Sequence, residues 1–91
     1  MATTSSRKEI FRVVAHGAQR VLLVGDFTNW QERPIPMIKG VDGAWRATVL
    51  LPFGRHEYLF IVDGNLCEDP DCSDRVPNST NGFNMVRVVK W

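Results

Sequence analysis

Short apolar stretches recur along the chain with turn-forming residues between them: Ile10 to Ala15, Val21 to Val24, Ala44 to Leu51, His56 to Asp63 and Phe83 to Val89. The separators are His16-Gly17, Arg33-Pro34-Ile35-Pro36, Gly40-Val41-Asp42-Gly43, Pro52-Phe53-Gly54, Asp63-Gly64 and Asp69-Pro70. Gly, Pro and Asp supply the backbone conformations that tight reversals require. Short strands at this spacing predict an all-β sandwich or barrel, with no helix of ordinary length. Alternation then assigns faces. From Ala44 onward, Trp45, Ala47, Val49 and Leu51 share one side while Arg46 and Thr48 take the other, which places Trp45 in the core. Tyr58, Phe60 and Val62 share a face, and the opposite face carries Glu57, Leu59 and Ile61. That second face is more apolar than a solvated sheet surface requires. Pro52-Phe53-Gly54 is expected to join these two strands as a hairpin, and Asp63-Gly64 to close a second one, giving a meander.

Composition narrows the picture without changing it. Ninety-one residues make one domain, and 44% hydrophobic with 23% charged residues is ordinary globular usage. A formal net charge of +1 leaves little long-range field, so neither nucleic acid nor an anionic membrane surface is expected as a partner. The longest apolar run, Tyr58 to Val62, is five residues, against about 20 for a membrane-spanning helix. Residues 1–8 are small, polar and basic and are expected to form a solvated, disordered tail, with the single domain spanning residues 9–91. They lack the apolar segment of a secretory signal, so a cytoplasmic protein with reduced Cys67 and Cys72 thiols is expected.

Catalytic chemistry is not suggested. The chain has no Gly-x-Ser-x-Gly, no His-Glu-x-x-His and no glycine-rich phosphate loop. His16 and His56 are expected at the surface. Glu68, Asp69, Asp71 and Asp74 crowd one loop instead of facing each other across a cleft, and are expected to be solvent-facing charges. Cys67, Asp69, Asp71, Cys72 and Asp74 lack the histidines or the calcium-loop glycine and glutamate that a metal site would need. No enzyme activity, metal or cofactor is expected.

Two landmarks carry a resemblance. One is Val21-Leu22-Leu23-Val24-Gly25-Asp26-Phe27-Thr28-Asn29-Trp30, a buried strand running into a loop that ends on tryptophan. The other is Tyr58-Leu59-Phe60-Ile61-Val62-Asp63-Gly64, followed by Asp69-Pro70. With Gly43-Ala44-Trp45 and Leu51-Pro52-Phe53-Gly54 between them, the pair resembles carbohydrate-binding module family 48. Its members include the glycogen-binding domain of AMP-activated protein kinase β subunits and the N-terminal domains of isoamylases and branching enzymes. The resemblance implies an immunoglobulin-like early-set β-sandwich of about seven short, mainly antiparallel strands.

It also implies a site. Trp30 stands where the family's tryptophan stacks on a glucose ring, and the indole suits the apolar C–H face of a pyranose. Leu59 replaces a lysine that hydrogen-bonds sugar hydroxyls, and Leu66 replaces a second stacking tryptophan. Asn81 and Phe83 align with a Thr-x-Asn segment, so Asn81 keeps polarity while Phe83 takes the place of a sugar-binding asparagine. A charged hydrogen bond is worth about 1.5 to 3 kcal/mol, so Leu59 alone would weaken binding by roughly 10- to 100-fold. The expected function is therefore weak, non-catalytic binding of an α-glucan such as glycogen or a maltooligosaccharide. The alternative is a protein-docking or homodimerisation module that uses an exposed apolar patch of Trp30, Leu59, Ile61, Leu66 and Phe83. A loop over residues 65–82 covering some of these side chains is the third possibility.

Overall fold

The computed structural model describes residues 6–90. It has nine strands, β1 (Ser6–Val14), β2 (Val21–Gly25), β3 (Ile35–Pro36), β4 (Ile38–Lys39), β5 (Ala44–Pro52), β6 (Gly54–Val62), β7 (Asn65–Cys67), β8 (Arg75–Pro77) and β9 (Phe83–Val89). They form two antiparallel sheets, one ordered β1-β5-β4 and one ordered β3-β2-β6-β9-β8, with β7 also paired to β6. This is the sandwich that the alternation and the resemblance imply. Four of the nine, β3, β4, β7 and β8, are two- and three-residue pieces at sheet margins.

The first strand begins inside the stretch expected to be a tail. Ser6, Arg7 and Lys8 lie opposite Pro52, Leu51 and Leu50 in a ladder that runs the whole length of β1 and β5. Backbone pairing holds these polar residues even though they bury no apolar side chain. Residues 1–5, the rest of the expected tail, lie outside the described residues.

The inner faces of the two sheets meet as the alternation requires. Phe11 and Trp45 from one sheet pack against Leu23, Tyr58, Phe60 and Met85 from the other, all buried. The Phe11 and Tyr58 rings meet edge to face with centroids 4.8 Å apart, and Tyr58 meets Phe60 similarly at 5.8 Å. Arg87 clamps the sheets from the side: its guanidinium lies 4.2 Å from the Phe11 ring centroid and bonds Glu9 at 2.9 Å. The cation draws on the ring face and the carboxylate together, so its charge is compensated where it is half-buried.

One connection differs from expectation. Pro52-Phe53-Gly54 does not close a hairpin, because β5 and β6 belong to different sheets. β5 pairs with β1 along its whole length and with β4 at Trp45 and Arg46, whereas β6 pairs with β2, β7 and β9, so the two strands flanking the turn lie in different layers. The turn carries the chain from one layer to the next, and no meander forms. Asp63-Gly64 does close the β6–β7 hairpin, with φ of 48° and 87°. The Asp63 carboxylate also accepts the amides of Gln19 and Arg20 at 2.9 Å each, tying the hairpin to the entry of β2.

Asp69 departs from its expected place in solvent. It is buried and accepts a 2.7 Å hydrogen bond from the Tyr58 hydroxyl and a 2.9 Å bond from the Asp71 amide. A buried carboxylate needs such donors, and these two pin the loop after β7 to the core. Burial, and then Asp69, push the Tyr58 phenol far above its ordinary 10.0.

Two stability predictions follow from this core. Trp45→Ala should lower unfolding free energy by about 3 to 5 kcal/mol in urea titration through the cavity it leaves. Tyr58, the chain's one tyrosine, stays neutral in the fold while the unfolded chain ionises near pH 10.0. Its stabilising contribution is thus complete below that pH and is lost above it, at about 1.4 kcal/mol per pH unit. The urea midpoint of the wild type should fall above pH 10.0, and Tyr58→Phe should remove that part of the decline.

Candidate functional site

The loop after β2 is built around a close approach. A side chain at Gly25 would put its Cβ 2.5 Å from the Glu57 carbonyl oxygen and 2.6 Å from the Phe27 ring, so only glycine lets the backbones meet there. A 3-10 turn then runs over Asp26–Thr28, and Asn29 and Trp30 follow in the left-handed region at φ 51° and 56°. Two such residues in succession cost about 1 to 3 kcal/mol each, so other contacts must hold them. Thr28 provides them. Its buried hydroxyl accepts the Gly25 amide at 3.0 Å, and its proton is within reach of the carbonyls of Trp30 at 2.7 Å and Gly25 at 3.0 Å. Asn29 adds a side-chain bond to Glu32. Trp30 emerges half-buried, one edge against the core and the other toward solvent.

Asp26 fastens this loop to β6. One carboxylate oxygen accepts the Glu57 amide at 2.9 Å, and the other lies 3.2 Å from His56 Nδ1. His56 Nε2 is 2.9 Å from the Pro52 carbonyl, and its side chain is only 14% exposed. The expectation of a surface histidine is corrected: His56 braces the sheet-to-sheet crossover against the Trp30 loop. His16 is exposed, as expected.

On the outer face of the larger sheet these elements frame a cleft of about 500 Å³, lined by Trp30, Gln31, Glu57, Leu59, Leu66, Pro77, Asn78, Ser79, Thr80 and Asn84. Strand parity explains the choice. Tyr58, Phe60 and Met85 point into the core, so their neighbours Glu57, Leu59 and Asn84 point outward together. Leu59 is buried at 6% exposure, whereas Leu66 is 52% exposed.

A row of polar side chains crosses the cleft. The Glu57 carboxylate accepts Arg55 Nη1 and Asn84 Nδ2, each at 3.0 Å. Asn84 Oδ1 accepts Asn78 Nδ2 at 3.1 Å, and Asn78 Oδ1 accepts the Thr80 amide, the Thr80 hydroxyl and the Gly82 amide between 2.9 and 3.0 Å. The Asn84 hydrogen bond, helped by Arg55 and opposed by partial burial, holds the Glu57 carboxyl below its ordinary range.

The structure therefore brings together three of the five residues singled out from the sequence, Trp30, Leu59 and Leu66. Asn81 and Phe83 do not line the cleft. Asn81 is an exposed turn residue at φ 64°, and Phe83 shares parity with Met85, its ring 5.2 Å beneath the Arg75 guanidinium. The expected apolar patch is also smaller than supposed, because Leu59 is buried and Ile61 half-buried. Glu57, Asn78, Thr80 and Asn84 were not singled out. The parity that put Glu57 with Leu59 was the available signal, and extending it across to β9 would have reached Asn84. Cys67 and Cys72 are free thiols, and no group of three or more metal-ligating side chains gathers among the described residues.

Residues 12–91 match the family described as the glycogen recognition site of AMP-activated protein kinase. The chain is 34% identical over 91 residues to the 5'-AMP-activated protein kinase subunit beta-1 of Sus scrofa, covering 98% of this chain and 70% of that one. It is 36% identical over 90 residues to the subunit beta-2 of Homo sapiens, covering 97% of this chain and 31% of that one.

Thr28→Val keeps the side-chain shape but removes the hydroxyl that holds the Trp30 loop. It should cost about 1 to 3 kcal/mol in a urea titration, because a buried amide loses its acceptor. The Trp30 emission should shift to longer wavelength before global unfolding, as the indole moves toward water.

Proposed function

Because the chain belongs to the family of glycogen recognition domains of AMP-activated protein kinase, we propose that its cleft binds α-glucan without performing chemistry on it. The observation that carries this reading is the indole of Trp30 on the same concave surface as a row of hydrogen-bonding side chains. A glucose ring has an apolar face and a rim of hydroxyls, and the cleft offers a partner for each. Glycogen and maltooligosaccharides present such rings in series.

Binding is weak in this reading. Leu59 and Leu66 supply contact area where the resemblance places a lysine and a second tryptophan, so the sugar gains neither an ionic hydrogen bond nor a second stacked ring there. The cytoplasmic location expected from the sequence stays part of the proposal.

A second reading is favoured by Leu66, which is 52% exposed on this face. Here the same surface docks on a protein or on a second copy of the chain. Burial of Leu59 and the polar row through Glu57, Asn84 and Asn78 favour the sugar, since a docking face is expected to be more uniformly apolar at its centre.

Trp30→Ala should abolish binding of maltoheptaose in calorimetric titration while the domain stays folded, and unchanged affinity in the folded variant would remove the reading. Leu66→Trp adds a second ring at an exposed position and should tighten binding by about two- to tenfold, the range of an aromatic contact. If the docking reading holds instead, light scattering over a concentration series should show self-association that Leu66→Lys disrupts.

A further inference from the structure

We propose that Glu57 decides which glucans the cleft accepts: its carboxylate accepts hydrogen bonds from the hydroxyls of a neutral sugar stacked on Trp30 and disfavours a sugar that carries phosphate. The proposal rests on the glucan reading above and adds a charge to it. Among the described residues lining the cleft, Glu57 is the one ionisable side chain, the others being apolar, amide or hydroxyl groups. Any ionic contact inside the cleft therefore comes from an acceptor.

The carboxylate is held ready for that task. An ionised carboxylate offers about four lone-pair positions. Asn84 occupies one on Oε1 and Arg55 one on Oε2, both at 3.0 Å, which leaves each oxygen able to accept again. The side chain is 28% exposed and so can be reached from the cleft. Asn84 is itself fixed from behind by Asn78 at 3.1 Å, so the amide that grips Glu57 has its orientation set. A hydroxyl arriving there meets an acceptor that has little freedom left to lose. Hydrogen bonds from hydroxyl to carboxylate are short and about twice as strong as neutral ones.

The same arrangement is unfavourable to an anion. The charged groups set against Glu57 are Arg55, on its own strand, and Asp26, whose carboxylate takes the Glu57 amide at 2.9 Å. Arg55 is engaged with Glu57 and does not line the cleft, and neither does Asp26, whose other oxygen faces His56 Nδ1 at 3.2 Å. A phosphate entering the cleft would leave water for a space with amide and hydroxyl donors, one carboxylate and no cation.

The test is calorimetric titration of the intact chain with maltoheptaose and with maltoheptaose phosphorylated on one primary hydroxyl. The wild type should prefer the neutral sugar by about tenfold. Glu57→Gln should weaken the neutral sugar by about fivefold to tenfold and reduce the preference to less than about threefold. A purely structural role would lower both affinities together and leave their ratio unchanged, which overturns the proposal. Equal affinity of the wild type for the two sugars overturns it without need of any variant. If the wild type binds neither, the glucan reading itself falls and this inference with it, whereas good binding of the neutral sugar with an unaltered ratio in Glu57→Gln removes this inference alone.

Discussion

Everything in this domain depends on β6 having to be buried on both faces at once. It lies inside the larger sheet, between β2 on one side and β7 and β9 on the other. Tyr58 and Phe60 on its inner face are almost wholly buried, and Leu59 between them is 6% exposed on the outer face. Neighbouring residues of one strand thus serve the core and the cleft, and neither set can move without the other. Two loops are also hung from this strand. The Glu57 amide holds Asp26 at the start of the Trp30 loop, and the Tyr58 hydroxyl holds Asp69 in the loop after β7.

That arrangement explains how a small sandwich can present a defined cleft. The floor, Leu59, moves only with the core, while the indole wall is set by a strained pair of left-handed residues that Thr28 secures. Such a site loses little conformational freedom on binding, so modest contacts can still give measurable affinity. The chemistry of the lining sets its upper limit. In the proposed reading, one indole, two leucines and a hydrogen-bonded polar row suit one or two neutral rings, and the carboxylate is the strongest single contact they offer.

The fold was largely legible in the sequence because sandwich strands announce themselves by alternation. Trp45 was placed in the core from its parity with Ala47, Val49 and Leu51; Trp45, Ala47 and Leu51 are buried and Val49 is half-buried. Turn chemistry was less informative about topology. Asp63-Gly64 and Pro52-Phe53-Gly54 both mark reversals, yet only the first joins paired strands, because a local turn does not record whether the strands it joins share a sheet. Charge was the weakest guide. Asp69 and His56 are sheltered because particular partners, the Tyr58 hydroxyl and the Asp26 carboxylate, wait for them across the fold. The cleft was only partly legible for a similar reason. Trp30, Leu59 and Leu66 could be named from motif positions, but Asn84 joins them through the register of β6 with β9, which no single segment displays.

The most direct measurement of the central claim is a two-dimensional proton–nitrogen NMR titration of the domain with maltoheptaose. The sandwich has a second exposed apolar surface on the smaller sheet, where Ile10, Ile38 and Leu50 lie, which serves as an internal control. The account predicts that the Trp30 indole resonance, the side-chain amides of Asn78 and Asn84, and the backbone of Leu59 and Leu66 shift together on one binding curve. Ile10, Ile38 and Leu50 should stay in place. Shifts confined to the smaller sheet, or no shifts at saturating sugar, would contradict the account.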